Sequence, residues 1–278
     1  MAAHCPEELH KAKFVTRCLC RNRIQLLVVA LPFPTHPAKF CKPQFRLNGV
    51  RELEGRKMNN SSKRYPIEFE VYAASDAEEM TKLLADVFTR HDPLAWAVGV
   101  KPLEFESFVV TLLPQVADER LTMVARLTDT GEMVGAMLTN DPARETGEGM
   151  ETLSEKFGPI GSILGELVTT YRAGGEPGPG EMLHLYLLGV SDSVAGKGVA
   201  QQLVAASVEN GARRGFRVAV AEATNPTSQH IFRKLGFAER NRISYRDHLF
   251  NGRHVFESIA EYGGPILMEK MLAGPSPE

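Results

Sequence analysis

The passage from Leu183 to Ala200, LHLYLLGVSDSVAGKGVA, limits what this chain can fold into more than any other stretch. An apolar run ends at Val190, a polar turn follows, and a glycine-containing loop leads into VAQQLVAASVENGARRG. There Leu203, Val204, Ser207 and Val208 recur at helical spacing, and Gly215 is a stop signal. The expected order is strand, loop, helix. The start of such a helix leaves backbone N–H groups unpaired, with the positive end of the helix dipole behind them, which makes an anion site. Gly196 and Gly198 carry no Cβ and allow close approach to a phosphate, and Lys197 adds a positive charge. The expected ligand is a phosphate or pyrophosphate held by Ala195, Gly196, Lys197, Gly198, Val199 and Ala200.

Two common phosphate loops are excluded. GxxxxGK followed by Ser or Thr is absent, and Gly196-Lys197-Gly198 runs into Val199-Ala200-Gln201, which breaks the dinucleotide pattern GxGxxG. Alone, a GKG before a helix is equally compatible with an ordinary tight strand-to-helix turn.

The segment Asn225–Phe237, NPTSQHIFRKLGF, supplies a second motif. With it the chain resembles the GNAT N-acetyltransferase superfamily, nearest its arylalkylamine branch. Gly198 and Ala200 fall on the last two marked positions of that family's acetyl-CoA pyrophosphate loop, while Ala195 stands where Arg or Gln is usual. Asn225, Ser228, Ile231, Phe232 and Leu235-Gly236-Phe237 match the second motif at its spacing, with Phe232 replacing the common Tyr. The resemblance covers roughly Ile67 to Leu272. It implies an α/β fold, a mixed sheet of about six to seven strands flanked by helices and splayed at the central strands, rather than a doubly wound sheet. It also implies acetyl-CoA as co-substrate, no metal, and direct transfer to a small primary amine in a ternary complex. Backbone groups of Leu188, Gly189 and Val190 would pair with the pantetheine arm like an added strand, and Asn225 and Ser228 would complete the cofactor site.

The net charge of −2 conceals an asymmetry. Residues 1–64 hold thirteen Lys/Arg against four Asp/Glu, net +9; residues 65–278 hold nineteen against thirty, net −11. The leader carries Pro32, Pro34, Pro37 and Pro43 and no sustained periodicity, so disorder is expected there. Its one apolar run, Ile24–Leu31, is too short to cross a bilayer. A basic, acid-poor leader also fits an organellar transit peptide; otherwise the compartment is expected to be cytoplasmic. Met58 is a candidate alternative start. All four cysteines (Cys5, Cys18, Cys20 and Cys41) lie in the leader at no zinc-like spacing, so the body can use neither disulfides nor a catalytic cysteine. The acidic body favours a cationic small amine and disfavours nucleic acid. No membrane partner is expected, and the chain is expected to be a monomer or weak dimer.

From residue 65 the expected domain opens with the strand Ile67–Tyr72, then a capping box on Ser75 and Glu78 starting a helix to Arg90. His91-Asp92-Pro93-Leu94 reads as a loop, followed by a helix over 102–113. Strands near 121–127 and 133–138 flank a turn at Asp129–Glu132. A helical insert occupies about 141–180, with its helix over 151–171 and a flexible GGEPGPG stretch after it. Beyond the central passage come a strand over 216–223, the Asn225 motif on a helix, and a final strand pair over 242–248 and 266–272.

His184 and Tyr186 stand two apart on the central strand and hence on one face. By the resemblance, positions 184 and 186 correspond to a histidine pair in the animal arylalkylamine branch, and His184 ranks first as general base, since an imidazole titrates near neutrality. A core histidine without a catalytic role is the bland alternative. Asp92 competes: by the resemblance the insect branch places a Glu at its position as base, and Asp is one methylene shorter. By the same resemblance Thr224 and Ser228 match hydroxyls near the thioester, and Ser228 is the candidate donor to the departing thiolate. Glu222 faces either the amine or solvent. Two rival functions share the loop, a protein lysine or N-terminal acetyltransferase and a non-catalytic acyl-CoA sensor.

Overall fold

The computed structural model describes residues 28–30, 66–172 and 175–272, the first of these through the backbone alone. The leader's cysteines and Met58 lie outside the described residues. The elements in chain order are β1 (Val28–Ala30), β2 (Ile67–Val71), α1 (Ala77–His91), α2 (Pro93–Val98), α3 (Pro102–Ala117), β3 (Met123–Leu127), β4 (Met133–Asn140), α4 (Phe157–Tyr171), β5 (Met182–Val190), α5 (Val199–Arg213), β6 (Val218–Ala223), α6 (Pro226–Lys234), β7 (Ala238–Arg242) and β8 (Ile266–Met271). The main sheet runs β2-β3-β4-β5-β6-β8-β7, with β1 added beside β5. Along that path only β5 and β6 are parallel. This is the expected mixed α/β sheet.

β5 is buried along all nine of its residues, which explains why its sequence is apolar without alternation. It pairs with β4 from Val190 back to His184, but with β6 only over Met182–His184. Past His184 the two parallel strands part. A bulge lies at that point: Leu185 faces Thr139 and Leu187 faces Leu138, leaving Tyr186 as the extra residue. A bulge sharpens local twist and bends its strand, and here it turns β5 away from β6. The opened edge of β5 carries β1, with Val28, Val29 and Ala30 opposite Leu187, Leu188 and Gly189. Gly189 has a packing reason as well, because a Cβ there would come within 2.8 Å of the Leu84 side chain on α1.

The helices are fixed by an aromatic cluster. Phe88 of α1 stacks on Phe105 of α3 at 4.8 Å between centroids, and Phe108 lies 5.1 Å from Phe157 of α4. Phe108 also meets Tyr186 edge-on at 6.3 Å. Burial of each such ring contributes on the order of 1.5–3 kcal/mol. The cluster ties α1, α3 and α4 to one another and, through Tyr186, to the bulge of β5.

Several expected boundaries need correction. His91–Leu94 is not a loop: α1 runs through His91, Asp92 caps the next helix, and Pro93 is its first residue. Proline suits that position because the missing N–H would be unpaired anyway. The Ser75/Glu78 capping box does not form; the Asp76 carboxylate accepts from Ala73 N–H at 2.8 Å, and Glu78 pairs with Lys82. The last strand pair is β7 and β8, so the chain turns into β7 immediately after Phe237 and residues 243–248 are not strand. The insert's helix starts at Phe157, six residues later than the expected start at 151. The leader contributes one short strand where none was expected.

Candidate active site

At the parting of β5 and β6 a strip of buried polar side chains crosses the sheet. His184 Nδ1 lies 3.0 Å from Asn140 Oδ1 on β4, and its Nε2 lies 3.1 Å from Glu222 Oε2 on β6. All three side chains are buried. The Tyr186 ring packs on the imidazole at 5.0 Å. Two residues beyond Glu222, the Thr224 hydroxyl donates to Asp92 Oδ2 at 2.9 Å, and Ala95 N–H donates to Asp92 Oδ1 at 2.8 Å. The Tyr245 hydroxyl donates to the Thr224 carbonyl at 2.7 Å.

Asp92 is fully buried at the start of α2. Burial pushes its pKa up to about 7, against the pull of the donors from Ala95, Thr224 and Leu94. Tyr245 is driven well above its ordinary range, first by its own burial and then by the Asp92 charge.

His184 and Asp92 differ in spare capacity. A neutral imidazole has one acceptor lone pair, whereas a carboxylate has about four acceptor sites. If Asn140 keeps its oxygen toward the ring, Nδ1 donates to it; if the amide is turned over, Nδ1 accepts from it. Glu222 then takes up Nε2, as acceptor from Nε2–H or, when itself protonated, as donor. In each arrangement no imidazole lone pair is left for an incoming ammonium. Asp92 accepts from Ala95 and Thr224, with Leu94 N–H also directed at it, and its roughly four acceptor sites are not all taken.

On the other side of the fork lies the glycine loop. Gly196 and Gly198 have φ of 71° and 79°, the left-handed region that glycine enters without penalty. Gly198 precedes the first residue of α5, and no side chain caps that helix end. The first intrahelical donor across the junction is Gln202, to the Gly198 carbonyl. The earlier N–H groups of the helix are the ones that every α-helix leaves without an intrahelical acceptor. Ala195 and Lys197 spend their N–H groups inside the turn, on Asp192 and Val194. Both side chains are exposed, and Val199 and Ala200 are buried. Arg90 at the end of α1 pairs with Asp192, which ties the loop to the base of the Asp92 turn.

The Asn225 motif acts locally. Asn225 Oδ1 accepts from Ser228 N–H at 2.9 Å, Asn225 N–H donates to Ser228 Oγ, and the Ser228 hydroxyl donates to the Asn225 carbonyl at 2.9 Å. This reciprocal cap absorbs the proton that the sequence assigned to the thiolate. Phe232 is buried against Phe237, with centroids 4.9 Å apart.

His184, Tyr186 and Glu222 thus lie together, as do Asp92 and Thr224, while Ser228 is engaged in its own turn. Asn140 and Tyr245 escaped sequence reasoning. Glu222 and Thr224 were legible as a pair by the same two-residue spacing that joined His184 to Tyr186; nothing in the sequence marks Tyr245. Among the described residues, no group of three His, Cys, Asp or Glu is placed to hold a metal, and no helix is long and apolar enough to cross a membrane.

A mixed sheet opened beside its central strand, with an uncapped glycine-led helix on one side and a buried acid on the other, defines an acyltransferase-like architecture. Residues 100–237 match the Acetyltransferase (GNAT) family, and the chain carries an N-acetyltransferase domain of that family. Members of this family generally use acetyl-CoA as co-substrate. Solved structures of similar fold include the C-terminal condensation domain of Ebony in complex with beta-alanyl-dopamine, at TM-score 0.69 and 14% identity, covering 74% of this chain and 99% of that one. Arylalkylamine N-acetyltransferase 2 from Aedes aegypti follows at TM-score 0.63 and 23% identity, with coverage of 74% and 99%. A Drosophila melanogaster polyamine N-acetyltransferase gives 0.61 and 21%, with coverage of 74% and 100%.

Proposed function

We propose that this chain acetylates a small primary amine from acetyl-CoA by direct transfer in a ternary complex, with Asp92 as the proton acceptor. The observation that carries this reading is a fully buried carboxylate, tuned to about 7, beside the gap between β5 and β6. A base with that pKa is half ionised near neutrality and is matched to take the proton that the amine nitrogen loses as it bonds to the acyl carbon. The structural neighbours named above include enzymes of arylalkylamines and polyamines, which supports the small-amine class.

The cofactor fits the groups present. The uncapped start of α5, with Gly198 in the left-handed region, suits a pyrophosphate, and the edge of β5 at Leu188–Val190 suits an amide-bearing arm. When bound, acetyl-CoA supplies the thioester carbon that the amine attacks. Asp92 removes the amine's proton as the new C–N bond forms, and the electron pair of the broken C–S bond leaves on sulfur as thiolate. Thr224 and Ala95 hold the Asp92 carboxylate in place, and Tyr245 holds Thr224. His184 and Glu222 stiffen the neighbouring strands. The acidic body draws a cationic substrate.

The test is a thiol-release assay with acetyl-CoA against arylalkylamines, polyamines, agmatine and N-terminal peptides. Turnover is expected with small amines and not with peptides. Turnover confined to peptides, or tight acetyl-CoA binding without any turnover, would replace this reading by one of the two rivals.

A further inference from the structure

Beyond His184 the β6-facing edge of β5 offers backbone to an added strand, because the ladder to β6 ends at that residue. The chain's own residues 28–30 lie there, parallel to β5 and in register with Leu187–Gly189. On the reading above, the donor's arm would pair at Leu188–Val190, so the two occupants share Leu188 and Gly189. A backbone group directed to one strand edge forms that edge's ladder bond with one partner at a time. Occupation by β1 and by the arm is mutually exclusive.

Two features of the sequence favour the leader as an occupant. Ile24–Leu31 is its single apolar run, as an added central strand requires. The leader's net +9 also faces a body of net −11, so the two attract. The connection from Ala30 to Ile67, residues 31–66, makes the encounter intramolecular. Tethering of this kind gives effective concentrations on the order of millimolar, enough for a weakly pairing segment to compete.

We propose that the basic leader is an intramolecular competitor of the acyl donor, with residues 28–30 adding to β5 in the place of the pantetheine arm. The inference rests on the donor reading of that edge. Apparent donor affinity is then reduced by the fraction of molecules whose edge is open. A leader seated nine-tenths of the time weakens acetyl-CoA binding about tenfold.

The test uses the full-length chain and two variants, Val28→Pro and Val29→Pro. Proline removes an N–H and fixes φ, which breaks strand pairing. Successive strand residues direct their N–H groups to opposite edges, so one of two adjacent prolines meets the ladder. Titration calorimetry with acetyl-CoA should show at least one variant binding about tenfold tighter, with kcat at saturating donor unchanged. The advantage over the parent chain should shrink as salt rises, because salt screens the attraction between leader and body. Amide exchange across Leu187–Gly189 should be faster in that variant and slow again when acetyl-CoA is added. Equal affinities in all three proteins, or unchanged exchange, would remove the leader's role and leave the donor reading standing. Absence of acetyl-CoA binding in all three would overturn the donor reading and the leader's role together.

Discussion

The two sides of the β5–β6 fork are built by opposite means. The glycine loop is local and made of backbone: a few consecutive residues and the start of one helix, with the Ala195 and Lys197 side chains exposed. The Asp92 side is made of side chains brought from far apart, with Thr224 and Asp92 separated by 132 residues and both buried. A backbone site resists side-chain substitution unless the new side chain intrudes or the conformation is lost. A side-chain site depends on single atoms in a dry environment, where one missing oxygen changes the chemistry.

The sharpest break falls on the loop. Gly198→Glu places a side chain at φ 79° and a negative charge at the expected pyrophosphate. Like-charge apposition costs several kcal/mol, so acetyl-CoA binding should weaken by at least about a hundredfold with an unchanged far-UV spectrum. Gly198→Ala should cost only the roughly 1–2 kcal/mol of left-handed strain. Equal affinity of the Glu variant and the parent chain would show that the loop holds no phosphate.

On the other side, Asp92→Asn should lower kcat/KM for an amine by roughly 10²–10⁴, the range for loss of a general base. The acid limb of the pH–rate profile, expected near pH 7 from the raised Asp92 pKa, should go with it. Retention of that limb would reject Asp92 as the base.

The same substitution has a stability signature. Asp92 has a folded pKa of about 7 against 3.8 for the free side chain, so the fold disfavours its charge. The resulting penalty is absent below pH 3.8, grows as pH rises, and is complete above about 7; at 1.36 kcal/mol per pKa unit it reaches up to about 4 kcal/mol. Asn keeps an oxygen for Ala95 N–H and carries no charge. The Tm advantage of Asp92→Asn over the parent chain should therefore widen from pH 5 to pH 8. A pH-independent difference would contradict the raised pKa.

His184→Gln should change kcat/KM by less than about tenfold while lowering Tm, because removing one partner strands the buried Glu222. Loss of the acid limb in this variant, with Asp92→Asn nearly silent, would return the base to His184. The smallest effect is expected at the start of the chain. A protein beginning at Met58 should keep a single cooperative thermal transition within a few degrees of the full chain, since the body's core is built from residues 67–272. Loss of that transition would make the leader part of the core.

Local pattern carried most of the fold. The apolar period of α5, the Asp129–Glu132 turn and the unbroken apolar run of β5 each reflect interactions within a few residues, and each is observed. The errors sit where tertiary contact overrides local preference. His91–Leu94 read as a turn because Asp-Pro is a turn signal, yet the same Asp caps a helix whose Leu94 and Ala95 are buried in the core. Ser228 was legible as a motif residue, while the direction of its proton was not.

By itself the sequence determined the glycine loop, its helix, the acidic body and the strand bearing His184, because these depend on near-neighbour spacing and charge count. The tertiary structure alone decided that β5 bulges at Tyr186 and parts from β6, that Leu187–Gly189 accept β1, and that His184 has its ring nitrogens engaged while Asp92 keeps lone pairs to spare. The physical reason is desolvation. Whether a carboxylate or an imidazole can take a proton near neutrality depends on the water it has lost and the partners it has gained, and both are supplied by segments distant in the chain.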